Sequence, residues 1–267
     1  MQAQPGAKGE LRDGEPLIED VHVAKRTKAW SPRLKARIAG VFEALEGTAS
    51  AGGQVVILGS LVVAGDAART ATNILAHQPL FWLGFTASLL GVAFHVTWAL
   101  LFYELFKPVN RTIALLALCV VLVCCAMQAL TGLLYLAPLL VLQGGSALSA
   151  FTPAQVQALA FAFLKVNGQA FNVDLVFFGL WCVLSGYLIL RSTFMPRILG
   201  ALLMIDGVGW MLFMLPPLAN TLFPAIAVAS GLAELPLQFW LIVFGVNSER
   251  WNEQAGAARL CSPHSAR

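Results

Sequence analysis

Six long apolar stretches, near residues 38–64, 80–104, 113–142, 173–191, 197–217 and 221–246, constrain this chain more than any other feature. An α-helix needs about 20 predominantly apolar residues to cross about 30 Å of hydrocarbon, and these stretches are of that order. Composition agrees, because 58% hydrophobic and 12% charged residues do not belong to a soluble globular domain. The expected fold class is therefore all-α: a polytopic membrane helix bundle of about six transmembrane helices. Polar breaks support the parsing, with Lys107, Pro108, Asn110 and Arg111 between the second and third stretches, and Arg191, Pro196 and Arg197 between the fourth and fifth. Pro216, Pro217 and Asn220 divide the fifth from the sixth.

The expected division is a polar, flexible cytoplasmic segment at 1–35, a transmembrane domain at 36–247 and a cytoplasmic tail at 248–267. Residues 1–30 are polar and carry no apolar core or cleavage pattern of a removable signal peptide. Of the 17 lysines and arginines, all but Arg69 and Lys165 fall on one side if the spans alternate, which predicts cytoplasmic amino and carboxyl termini. The net charge of +3 is modest and points to anionic headgroups and not to nucleic acid. Two outer connections, near Asp66 to His77 and Ser149 to Asn167, are long enough for structure of their own. In the second, Thr152, Pro153 and Gln155 match a capping box. Val156, Leu159, Ala160, Phe163 and Val166 then share one helical face, which predicts a short amphipathic extracytoplasmic helix on the membrane surface.

Functional groups in such a chain are the polar ones inside the bilayer, where an ionisable side chain costs roughly 2.5 to 3.5 kcal/mol on insertion scales. Gln54, His95, Gln128, Asp206 and Glu234 fall at matching depths in five spans, and Asp174 at the outer end of the fourth. His95, Asp206 and Glu234, with Gln238 one turn after Glu234, form a candidate midplane layer for a ligand or a proton. Gln54 and Gln128 read more simply as interhelical hydrogen-bonding residues. No lysine or arginine lies near the middle of a span, so the buried carboxylates must be neutral, share a proton with His95 or hold a cation. Pro236 removes a backbone donor and frees the carbonyl of Leu232, which predicts a kink beside Glu234. Glu43 and Glu46 stand three apart on the first helix, where their nearness to Lys35 and Arg37 favours interfacial ion pairing over a ligand site.

Gly179 and Gly186, seven apart, would let a neighbouring helix approach the fourth span closely. Cysteines at 119, 124, 125 and 182 have no disulfide or zinc spacing, and no cofactor is predicted. There is no HExxH, CxxC, P-loop or serine elbow, so soluble-type enzyme chemistry is not expected. Three readings follow: a small carrier or proton-linked permease, a non-catalytic accessory subunit or scaffold, and, last, an intramembrane enzyme or cofactor binder. The lipid bilayer is the implied partner, with a membrane protein or a second copy as further candidates.

The segments Ala36 to Gly40, Gly65 to Leu75, Phe106 to Ala117, Leu175 to Gly200 and Ala233 to Asn247 together resemble a bacterial multi-pass membrane family catalogued as domain of unknown function 4386. The block LVFFGLWCVLSGYLILRSTFMPRILG is the most specific of them. The resemblance implies a bacterial cytoplasmic-membrane protein and no particular activity. It places Asp174 and Glu234 within patterns typical of the family, and Asp206, Glu43 and Glu46 outside them.

Overall fold

A computed structural model describes residues 30–260, and the expectations for residues 1–29 and 261–267 lie outside them. Every regular element among the described residues is helical. The first stretch is α1 (Pro32–Ala51), a π-helical turn (Gly52–Ile57) and α2 (Leu58–Leu61), joined without interruption. There follow α3 (Ala67–Ala76), α4 (Gln78–Phe106), α5 (Arg111–Gln143), α6 (Pro153–Arg191), α7 (Arg197–Met211), α8 (Pro216–Val243) and α9 (Ser248–Leu260). From α4 to α8, five helices are long and apolar enough to cross a membrane, α7 together with the 3₁₀ turn that extends it to Met214. The protein is a multi-pass membrane protein, and leucine, isoleucine and valine side chains such as Leu133, Ile205, Val228 and Leu235 stand exposed on its outer faces.

Helix α1 packs on α4, α4 on α5, α5 on α6, α6 on α7, α7 on α8, and α8 back on α1, so the long helices close into a ring in chain order. The arginine- and lysine-rich ends lie together: Arg37 Nη2 donates to the carbonyl of Val243 at 2.8 Å, and Lys35 pairs with Glu104 at 3.4 Å. Helix α9 closes this end, with Trp251 Nε1 donating to the carbonyl of Leu105 at 2.8 Å. At the opposite end α3 caps the bundle. Asp66 accepts from the Arg69 N–H, Gly65 takes the positive φ of the turn, and Asn73 Nδ2 donates to the carbonyl of Leu61.

The seam between α6 and α7 is built from glycines, as the spacing of Gly179 and Gly186 predicts. A Cβ on Gly179 would stand 2.5 Å from the carbonyl oxygen of Gly207, and one on Gly186 would stand 2.6 Å from that of Gly200. The contacts are reciprocal, since a Cβ on Gly207 or Gly200 would meet Gly179 or Gly186 in turn. Where lipid surrounds the bundle, such close backbone approach supplies the packing energy that hydrophobic exclusion supplies in water.

The outer connection before the fourth span differs from the sequence expectation. The capping box at Thr152 and Gln155 is formed, with Pro153 at N1, but the helix it starts does not end near Asn167. It continues through 39 residues to Arg191, a length of about 58 Å. No proline interrupts it, and Asn167, the residue that suggested a boundary, is buried and hydrogen-bonded across the bundle. Helix α5 likewise runs unbroken through Pro138, and α8 through Pro224 and Pro236.

A buried polar layer between two apolar plugs

The helix faces explain which polar groups point inward. On α1 the buried positions are Ala36, Ala39, Gly40, Glu43 and Glu46, a single stripe at helical spacing. Gly40 sets its depth, because a Cβ there would lie 2.7 Å from Leu241 Cβ on α8. Glu43 and Glu46 continue the same stripe and are buried at 8% and 9% exposure. The interfacial ion pairing expected from the sequence is therefore not their environment. The helix begins at Pro32, which puts Glu46 about 20 Å along it and out of reach of the terminal lysine and arginine.

Glu46 meets His95 of α4. His95 is fully buried and its Nδ1 lies 3.1 Å from Gln128 Oε1 and 3.7 Å from Glu46 Oε1. Two oxygens on one ring nitrogen assign the hydrogen to Nδ1, leaving Nε2 without a partner in a buried site. The ring stacks on Trp98, which meets Trp181 of α6 edge-on at 4.6 Å between centroids. Ser50, one turn beyond Glu46, donates to Glu46 Oε1 at 2.9 Å. Asp174 is a neighbour of Gln128 and Glu46 and is 2% exposed, with Oδ1 unpartnered. It does not sit at the outer end of a span as the sequence suggests, because α6 starts at Pro153 and carries it about 30 Å inward.

Above this group the π-helical turn brings Gln54 to α6, where its Nε2 donates to Asn167 Oδ1 and Asn167 Nδ2 donates to the carbonyl of Thr131 at 2.9 Å. A cavity of about 20 Å³ lies here, lined by Ser50, Gln54, Ser88, Gln128, Thr131 and Phe171 among others. That is room for one water molecule among several donors and acceptors. Single π-turns within α-helices commonly mark functional positions.

The second group lies between α7 and α8. Asp206 is 1% exposed and neither carboxylate oxygen has a partner. Its neighbours are Glu234, Cys182 and Ser230. Glu234 Oε1 accepts from Ser230 Oγ at 2.9 Å and from Trp210 Nε1 at 3.4 Å. Gln238 lies apart from these bonds, its amide turned toward Gly47 of α1. Pro236 is exposed on the outer face and does not interrupt α8. The carbonyl that it frees leaves the helix continuous because one missing bond is a small part of a 28-residue ladder.

The single midplane layer of His95, Asp206 and Glu234 is thus two groups. His95 belongs with Glu46, Gln128 and Asp174, and Asp206 belongs with Glu234. Glu43 is close enough to feel the charge of both Glu234 and Glu46. Apolar clusters flank the layer: one toward the arginine-rich end includes Phe102, Phe106, Phe194 and Leu241, and another includes Leu58, Ile74, Phe81, Tyr135 and Leu139.

Ser50, Thr131, Asn167, Trp210 and Ser230 were not among the sequence candidates. Two of them carried a readable signal, since Ser50 follows Glu46 by four residues and Ser230 precedes Glu234 by four, the spacing at which a hydroxyl reaches a carboxylate on one helix. Among the described residues no three His, Cys, Asp or Glu side chains are grouped so as to hold a metal ion. Five carboxylic groups and an imidazole, all of them groups that exchange protons, lie in the bundle near hydroxyls, amides and space for one water.

No curated protein and no solved structure matches this chain. A family model does, over residues 38–245, which takes in the ring from α1 to α8 and every residue of the polar layer. The chain belongs to the family described as Domain of unknown function (DUF4386).

Proposed function

We propose that this protein is a small proton-linked carrier of six spans in a bacterial cytoplasmic membrane, with both termini on the cytoplasmic side. The observation that carries the reading is the interior itself, in which Glu43, Glu46, Asp174, Asp206 and Glu234 form two neighbouring groups, one of them with His95, and among the described residues no lysine or arginine joins them. Carboxylates without cations persist in a membrane where protons or a bound cation neutralise them, and such groups line proton and substrate routes. The span count adds the first helical stretch, Pro32 to Leu61, to the five long apolar helices. The orientation rests on the bias of lysine and arginine to one end.

His95 is the proton carrier in this reading, because an imidazole can both accept and donate a proton through its two ring nitrogens. Glu46 lies against it, and Asp174 is a neighbour of Glu46 and Gln128. The pair Asp206 and Glu234 shares one proton, as adjacent carboxylates in low dielectric do. Apolar packing flanks the layer on both sides, and in this reading access requires one ring segment to rock against the rest.

The experiment is reconstitution into liposomes loaded with a pH-sensitive dye, followed by an imposed pH gradient. Proton entry above that of empty liposomes, lost in Glu234→Gln and His95→Gln while both variants remain folded, is the expected result. Flux equal to that of empty liposomes under gradients of either sign removes the reading. The one-water size of the cavity favours the second reading, a non-catalytic membrane subunit whose polar layer only specifies helix packing. That subunit would be recovered with a stable protein partner on gentle extraction.

A further inference from the structure

The arginine-rich end carries a groove with no part in the polar layer. It has a volume of about 720 Å³ and lies between the turn joining α4 to α5 and the face of α9 that carries Trp251, Ala255, Ala258 and Arg259. Lys107, Arg111 and Arg259 contribute three cations to its walls; Lys107 is paired with Glu104 at 2.6 Å, and among the described residues no acidic side chain lines the groove. Asn110 caps α5 by accepting from the Ile113 N–H, so the N–H groups of Arg111 and Thr112 remain in the open first turn of a 33-residue helix. Ala255 and Ala258 of α9 keep the far wall low, and the Trp251 indole, anchored on the Leu105 carbonyl, forms its floor.

We propose that this groove binds the phosphate headgroup of an anionic phospholipid from the adjoining leaflet. The occupant follows from charge and place together. Among the described residues the lining is basic or neutral, and the groove sits where α4 ends at Phe106 and α5 begins at Arg111, which is the level of the headgroups if these helices cross the bilayer. Basic pockets between membrane helices on that side take acidic headgroups, with a tryptophan at the same level as an interfacial anchor. Open helical N–H groups and arginine forks suit phosphate oxygens. Arg259 arrives from α9, so the lipid ties the last described helix to the α4–α5 turn.

The test uses the full chain, purified in mild detergent and delipidated, then offered phosphatidylglycerol or phosphatidylcholine and examined by native mass spectrometry. Preferential retention of phosphatidylglycerol is expected. In the double variant Arg111→Gln/Arg259→Gln its occupancy should fall on the order of thirtyfold, from two charges each contributing about a factor of five. Arg259→Gln alone, on an exposed position at the end of α9, should fall about fivefold and serves if the double variant is poorly folded. Equal retention of the two lipids overturns the proposal, as does phosphatidylglycerol binding that neither variant changes. Inorganic phosphate that displaces the lipid at equal concentration assigns the groove to a soluble anion and also overturns it.

Discussion

Glu46 Oε1 lies 3.7 Å from His95 Nδ1, across the contact between α1 and α4, with both side chains buried. The same Nδ1 faces the Gln128 carbonyl oxygen of α5 at 3.1 Å. Three helices therefore meet on one imidazole nitrogen. If the layer conducts protons, Glu46→Gln should lower proton flux in liposomes at least tenfold. Its melting temperature should move little, because the amide oxygen still accepts from Ser50 and the side-chain volume is unchanged. A loss of flux accompanied by an equal loss of folded protein would point to a packing role instead.

Asp206 and Glu234 offer a sharper separation of stability from function. Two adjacent acidic groups leave Asp206 with neither oxygen hydrogen-bonded. Glu234→Gln supplies an amide N–H that can donate to Asp206, so stability should hold or rise by about 1 kcal/mol in detergent unfolding. Flux should disappear in the same variant. A variant that is markedly less stable would contradict the shared-proton assignment of this pair.

The glycine seam makes a prediction independent of function. Gly186→Val places a branched side chain where a Cβ alone stands 2.6 Å from the Gly200 carbonyl oxygen, and the cost should be at least about 1–3 kcal/mol. Gly168→Ala, on the same helix with nothing within 4 Å of the added carbon, should stabilise by about 0.5–1 kcal/mol through helix propensity. Thermal unfolding of the two variants in one detergent, side by side, checks both signs.

Trp251 holds α9 against the bundle through its bond to the Leu105 carbonyl. Trp251→Ala should release α9 while leaving α1 to α8 intact, since the tie is local to the arginine-rich end. Limited proteolysis should then cut within residues 248–260 at least tenfold faster than in the wild type, a margin consistent with one lost hydrogen bond and its packing. Unchanged cleavage would mean that α9 is held elsewhere, for instance by Gln254, which accepts from the Thr193 N–H.

Much of the architecture was legible before any coordinates. Apolar length predicts the long helices, the Thr152 capping box predicts a helix start there, though of a separate short helix and not of α6, and the spacing of Gly179 and Gly186 predicts a tight seam. These features are local, and helix propensity, caps and hydrophobic runs act over a few turns. Where helices end was less legible, and Asn167 shows why. A polar residue between apolar runs reads as a boundary, yet within a bundle it becomes an interior donor and acceptor once Gln54 and the Thr131 carbonyl stand opposite it.

The sequence by itself determined the class of protein, the approximate spans, the family and the inventory of acidic groups, because lipid permits little besides apolar helices and makes every charge within them conspicuous. Only the tertiary structure decided which of those groups share a site. Glu43 and Glu46 moved from the membrane edge to the interior, Asp174 from a helix end to a helix middle, and His95 from the company of Asp206 to that of Glu46 and Gln128. Depth along a helix depends on where that helix truly begins, and azimuth depends on which neighbours close the ring. Neither is written in the local run of residues around a carboxylate.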